Sequence, residues 1–244
     1  MSEITSQVSS SIEALTREFE IVTHNLANVS TVGYKRRCNA FSESLEKAGT
    51  GAEEYLPGEI KVESALDFSQ GNLVQTGRAL DFAVFGRGFF VIETPEGPLY
   101  TRNGMFQTSP TGQLVDSMGR TVAGDGGPII IPPTAGETQI YVSGDGTVRA
   151  GKAVVGKFSV VDFQDSEGKL VSAGENCFYM PDKNVQPAAA GNVVVKQGYQ
   201  EASNVSVVDE LVDMIMVTRL YEANMRFVSA QSETSSSIMN VAMG

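Results

Sequence analysis

One histidine and two cysteines are all that this 244-residue sequence offers for imidazole or thiolate chemistry. Those three residues cannot make a self-contained zinc site, which needs four ligands, usually nitrogen or sulfur. Cys38 and Cys177 are also too few for a disulfide framework, so the expectation is two reduced, packed small residues. Basic residues are scarce as well: Lys and Arg total 18 against 29 Asp and Glu, a net charge of -11. That balance excludes the counterion-displacing footprint of a nucleic-acid binder, and it argues against binding to an anionic membrane surface. No run of about 18 apolar residues is present, so membrane insertion is not expected. The opening MSEITSQVSS has neither the basic segment nor the apolar segment of a cleavable signal. The expectation is a chain that stays inside or leaves by a route that cleaves nothing.

Catalytic patterns are missing too. His24 stands beside Asn25 with no serine or cysteine placed as a nucleophile. Gly86-Arg-Gly88 lacks the third glycine of a nucleotide loop, and Phe89-Phe90 continue it as a strand where a helix should begin. Asp125-Gly-Gly127 and Asp145-Gly146 are turn formers without the oxygen cage calcium needs. The sequence therefore predicts no enzyme, no cofactor, no metal and no small-molecule substrate.

What the chain does have is an apolar heptad at each end. Val8, Ile12, Leu15, Phe19, Val22, Leu26 and Val29 step by four and three. Leu211, Met214, Thr218, Tyr221, Met225, Val228, Ser232, Ser235, Met239 and Ala242 step by three and four, diluting to serine after Val228. Such spacing predicts paired coiled-coil-type helices. The second helix also carries Val212, Ile215, Val217, Leu220 and Phe227 on other faces, so a single partner helix cannot cover it.

Between the ends the pattern is β. Asp81–Phe85, Gly88–Glu93 and Leu99–Arg102 read as strands, with Thr94-Pro-Glu-Gly97 as a turn. Short strands with turn residues every 8 to 12 positions continue to Gln200 and suggest an antiparallel barrel or sandwich. The fold class is mainly β with α-helical termini. The expected divisions are an N-terminal helix in 1–36, an acidic connector in 37–69, a β domain in 70–200 and a C-terminal helix in 201–244. The connector sets Glu43, Glu46, Glu53, Glu54, Glu59, Glu63 and Asp67 against Lys47 and Lys61 only.

Several runs resemble one family. His24-Asn-Leu-Ala-Asn-Val-Ser-Thr-Val-Gly-Tyr-Lys-Arg36 is similar to the N-terminal signature of bacterial flagellar rod and hook proteins, with His24 where Asn is usual. Ser203–Ile215 followed by Thr218-Arg-Leu-Tyr-Glu-Ala-Asn224 resembles the C-terminal signature. Gly71–Gly77, Leu80–Val84, Gly88–Val91, Tyr100-Thr-Arg-Asn-Gly104 and Ser109–Val115 resemble the rod proteins rather than the longer hook protein. The match is to the FlgF/FlgG type. The short stretch from Lys35 to Gly71 and the overall length favour the proximal-rod F type over the distal-rod G type.

The resemblance implies a rod subunit that polymerises through its terminal helices and transmits motor torque to the hook. Its implied partners are other rod proteins, further copies of itself and the flagellar type III export apparatus, and its implied location is the periplasmic rod of the basal body. The predicted assembly interface is Val8, Ile12, Leu15, Phe19, Val22, Asn25, Leu26, Asn28, Val29, Gly33, Leu211, Met214, Ile215, Thr218, Tyr221, Asn224, Met225 and Val228. The alternative from another class is a non-flagellar secreted β-domain binding protein with oligomerising helices, which would show a closed stoichiometry.

Overall fold

The structure is a computed structural model that describes residues 2–39, 64–133, 136 and 139–243. Most of the acidic connector, 40–63, lies outside the described residues, as do Thr138 and the side chains of Ser232, Ser235, Met239 and Ala242. The chain forms two compact units. One comprises Met1–Ala27, Arg37–Ala65 and Ser206–Gly244, and the other Asn28–Arg36 and Leu66–Val205.

The first unit is helical. Helix α1, Ser2–Ala27, and helix α2, Val207–Met243, pack together, and a short strand Arg37–Asn39 pairs with Ser64–Leu66. Helix α1 contains neither proline nor glycine, and Glu13 and Arg17 face each other at 4.0 Å on its exposed side. An exposed pair of this kind adds only a few tenths of a kcal/mol. The packed side of the helix carries the stability, led by the fully covered Val22. The α1 heptad outlasts its helix: Val29 falls beyond Ala27, in the turn that belongs to the second unit.

The second unit is antiparallel β. Its central strand, Phe89–Thr94, pairs with Gly97–Thr101 across the expected Thr94–Gly97 turn, where the Thr94 hydroxyl donates to the Gly97 carbonyl at 2.6 Å. The same strand also pairs with Thr121–Gly124 and Val160–Asp162. With strands on both edges and side chains alternating between two faces, it feeds two cores. Phe90 and Ile92 join Phe82, Phe106, Phe158 and Ile129 on one side. Phe89 and Val91 join Tyr100, Phe163, Leu170 and Phe178 on the other. Burial on both faces explains why the strand reads as a continuous apolar run rather than an alternation.

The two ends of the β unit close on each other. Phe82–Phe85 pairs with Val194–Gln197, and Leu73–Gln75 pairs with Tyr199–Glu201. This closure carries Gly71 against Ala202, so near that a Cβ on Gly71 would fall 2.0 Å from the Ala202 carbonyl oxygen.

Candidate assembly site and its buried supports

In the helical unit, the side of α2 turned to α1 mixes apolar and polar residues, and its most buried points are Glu210 and Val217. Glu210 is fully buried and accepts the Asn25 side-chain amide at 3.2 and 3.3 Å. Asn224, two heptads further along, donates to Ser11 at 3.2 Å. Met214, Val217, Val228 and Gln231 share this covered stripe. Of the heptad expected from sequence, Met214 and Val228 lie in the stripe that α1 covers and other members do not. Leu211, Thr218 and Met225 are exposed, as are Ile215 and Tyr221. At 100° per residue Leu211, Ile215, Thr218 and Met225 form one shoulder of the helix, and Val212, Met216, Leu220 and Phe227 the other, while Tyr221 falls in line with Met214 and Val228 yet stays 40% exposed. All nine are exposed in the subunit.

On α1, Val8, Ile12, Leu15 and Leu26 are partly covered and Val22 is buried, but Phe19 is 43% exposed. Glu18 takes the inward place beside it and accepts the Asn39 amide at 2.8 Å. Asn25, expected at an assembly surface, has its amide engaged inside the subunit. Its Nδ2 donates to the Arg37 carbonyl at 2.9 Å, and its Oδ1 accepts the Arg37 N–H at 2.8 Å. The side chain acts like a length of β-strand, pinning the chain where it re-enters this unit at Arg37. A buried amide with every group satisfied costs little, whereas an unsatisfied one would cost about 1–3 kcal/mol.

His24 stands one residue before this clamp. Burial, and then the positive charge of Arg37, hold its pKa below the usual 6.5. A base with a depressed folded pKa favours the neutral folded state. Its stabilising contribution is present above the unfolded pKa and is lost as pH falls through the folded value. The thermal melt of the helices, followed by far-UV circular dichroism, should therefore soften between about pH 7 and 5. His24→Asn should flatten that slope, and an unchanged slope in the variant would assign the proton elsewhere.

The β unit holds a second polar centre. Lys35, Arg102 and Glu201 are each at most 2% exposed and meet as an ion triad. Lys35 Nζ donates to Glu201 Oε1 and to the Ser69 carbonyl, both at 2.7 Å. The Gly71 N–H also reaches Oε1, at 3.1 Å. On the other oxygen, Arg102 Nη1 lies 3.4 Å from Oε2 while donating to the Gly86 carbonyl at 2.8 Å. The Arg102 guanidinium sits over the Phe89 ring, 5.0 Å from its centre. Burial lowers the pKa of both cations, and Glu201 opposes that shift in each. The triad is a charge balance as much as an attraction, because a buried charge without a partner is expensive.

Gly33 lies beside this triad at φ +70°, and its N–H donates to the Glu201 carbonyl at 2.7 Å. A Cβ there would fall 2.5 Å from the Asn103 nitrogen. Both the backbone angle and the close approach require glycine. Asn28 closes the turn before it, its Oδ1 accepting the Thr31 hydroxyl at 3.2 Å.

Sequence reasoning named Asn25, Asn28 and Gly33 but passed over Lys35, Arg102, Glu201 and Glu210. Lys35 and Arg102 sit inside the recognised runs; Arg102 stands alone among apolar and small residues, whereas Lys35 opens the basic run Lys35-Arg36-Arg37. Only the isolation of Arg102 was an available signal. Both cysteines are free thiols, Cys177 buried and Cys38 partly so. Among the described residues, no group of three or more His, Cys, Asp or Glu could hold a metal, and no helix is long and apolar enough to cross a membrane.

Residues 83–150, which contain Arg102, match the flagellar hook protein FlgE/F/G D1 domain. Residues 196–241, which contain Glu201, Glu210 and the exposed shoulders of α2, match the flagellar basal body rod FlgEFG protein C-terminal family. Full-length similarity decides the matter. The flagellar basal-body rod protein FlgG of Buchnera aphidicola subsp. Acyrthosiphon pisum is 32% identical, over 91% of this chain and 93% of that protein. FlgF of Caulobacter vibrioides is 33% identical over 91% of each. The chain belongs to the flagellar basal-body rod family, FlgF/FlgG type. FlgG of Bacillus subtilis, at 30% identity over 92% of this chain, extends the similarity to a distant bacterium. This rod protein is a structural subunit of the flagellar basal body, part of the motility apparatus. Its signature residues Asn25, Gly33 and Lys35 make hydrogen bonds within the subunit.

Proposed function

We propose that this rod subunit polymerises with other rod proteins and with further copies of itself through its terminal helices, and that the finished rod carries motor torque to the hook. The observation behind this reading is the exposed apolar surface of α2. Leu211, Val212, Ile215, Met216 and Leu220 are between 44% and 59% exposed. Covering the remaining half of each such side chain contributes roughly 1 kcal/mol, which the isolated subunit forgoes and an assembly recovers. The expected interface positions Leu211, Ile215, Thr218, Tyr221 and Met225, together with Phe19 of α1, are available for it. Delivery by the flagellar type III export apparatus belongs to the same reading. Catalysis has no part in it.

The proximal-rod F type is favoured over the G type. FlgF of Caulobacter aligns over 226 positions to cover the same 91% of the chain for which the Buchnera FlgG needs 247. The chain thus matches F-type length with fewer gaps. Electron microscopy of the purified protein, alone and mixed with other rod proteins, tests assembly directly. Open-ended rods or tubes are the expected result. A small closed oligomer unaffected by the other rod proteins would favour the secreted binding protein instead.

A further inference from the structure

The outer faces of the two helices carry charge in alternating order. On α1, Glu13, Arg17 and Glu20 are exposed. At 100° per residue they fall within about 60° of one another, on the side away from the buried Val22 and Asn25. On α2, Arg219, Glu222 and Arg226 are exposed and also fall within about 60°, away from the buried Glu210 and Val217. The α1 stripe reads minus, plus, minus at steps of four and three, and the α2 stripe reads plus, minus, plus at steps of three and four. Laid antiparallel, every charge meets its opposite: Glu13 with Arg226, Arg17 with Glu222, and Glu20 with Arg219. Each stripe spans about 10.5 Å of helix.

Within the subunit these charges are only loosely engaged. Arg17 lies 4.0 Å from Glu13 and Arg226 lies 3.8 Å from Glu222, each pair on one exposed helix face. Glu20 and Arg219 make no ion pair among the described residues. The two stripes cannot meet in one chain, because α1 and α2 pack through other sides, with Asn25 on Glu210 and Asn224 on Ser11. A further helix has room on the α1 stripe, whose flanking Ser9, Thr16 and Thr23 are small and exposed. The Thr16 hydroxyl already donates to the Ile12 carbonyl at 2.9 Å, so covering it leaves no orphan donor. Beside the α2 stripe, Val212, Ile215 and Met216 supply exposed apolar surface for the same contact.

We propose that the α2 stripe of one subunit docks on the α1 stripe of a second copy of this chain, antiparallel, in the register Glu13–Arg226, Arg17–Glu222 and Glu20–Arg219. This rests on the assembly through terminal helices read above, and adds to it the partner, the direction and the register. Direction follows from the subunit itself. The pairs Asn25–Glu210 and Ser11–Asn224 set α1 and α2 antiparallel, and a copy stacked in the same sense presents its α1 in that same direction. The joint is heterologous, so each added copy leaves one stripe of each kind unfilled and growth need not close. A slip of one turn would set Arg17 against Arg219 and Glu13 against Glu222. The alternating order therefore selects the register more than it adds affinity.

Reversing every sign of one stripe keeps its intrahelical pair while inverting the joint. Glu13→Arg, Arg17→Glu and Glu20→Arg make one full-length variant; Arg219→Glu, Glu222→Arg and Arg226→Glu make the other. Sedimentation at low salt should show each variant alone self-assembling at least about tenfold more weakly than the wild type, because three attractions become repulsions. Mixed in equal amounts, the two should assemble to within about threefold of the wild type, since each then meets a complementary stripe. A wild-type protein that never assembles would remove terminal-helix assembly itself. A wild type that assembles, alongside a reversed variant that does so equally well or a mixture as weak as its folded components, overturns the docking register alone. Should a reversed variant lose its helical circular dichroism, Glu20→Gln and Arg219→Gln replace it. The double variant should then assemble no more weakly than either single one, and additive losses overturn the pairing.

Discussion

Glu201→Leu is expected to cost about 3–5 kcal/mol, the scale for breaking a buried ion pair by removing one partner. The reason is arithmetic of charge rather than loss of attraction. Glu201 is the single anion facing both Lys35 and Arg102, whose side chains are 1% and 2% exposed. Leucine leaves two cations in a desolvated site and strips the Gly71 N–H and Lys35 Nζ of their shared acceptor. Arg102 cannot turn to water, since it is held over Phe89 and by the Gly86 carbonyl. In a domain of this size the loss corresponds to a fall in melting temperature of roughly 2–4 °C per kcal/mol. Calorimetry on the purified protein measures it. The asymmetry with Lys35→Met is the sharper check: removing one cation leaves Glu201 paired with Arg102, whereas removing the shared anion leaves both cations uncompensated, so Glu201→Leu should cost more. Equal melting temperatures for Glu201→Leu and wild type would mean that the triad contributes no net charge balance. Replacing all three members by apolar residues of similar volume should recover much of the loss, because a buried triad and a well-packed apolar cluster are often of similar stability.

How much of this the sequence discloses depends on whether the determining contact is local. The strands Phe82–Phe85 and Phe89–Thr94 and the turn at Thr94–Gly97 are legible because composition and turn chemistry act over a few residues. Both helices are legible for the same reason. Which stripe of α2 meets α1 is not. Apolar residues lie on nearly every side of that helix, so periodicity offers several seams and cannot choose among them. Glu210 and Asn25, 185 positions apart, pair within a stripe that also holds Met214, Val217 and Val228. A search for apolar seams passes over that polar pair. The triad is hidden in the same way, with Lys35 and Glu201 separated by 166 positions. Gly33 was legible as a turn residue, but its nearness to Asn103 was not, because only the folded chain brings those two backbones together.

Ile215→Asp combined with Met216→Asp should abolish swimming while leaving the isolated subunit folded. The two side chains are 55% and 59% exposed and lie on opposite shoulders of α2, away from the stripe that holds Glu210 and Asn224. In the free subunit each aspartate is solvated, so the far-UV spectrum and melting temperature should shift by no more than about 0.5 kcal/mol of stability, as for ordinary surface changes. In the assembled rod the same carboxylates would face apolar surface. Burying an unpaired charge there costs several kcal/mol, on top of roughly 1 kcal/mol of lost apolar burial per side chain. Because every copy in a polymer repeats the defect, the penalty recurs at each contact, and basal bodies should lack the subunit. Lys169→Asp, in the 3-10 turn Gln164–Lys169 of the β unit, supplies the control, since that side chain is exposed and remote in sequence from both helices. Normal motility in the doubly substituted strain would remove α2 as the assembly surface. Loss of helicity in the purified variant would instead show that the shoulders already stabilise the free subunit, because only covered side chains can transmit such a change.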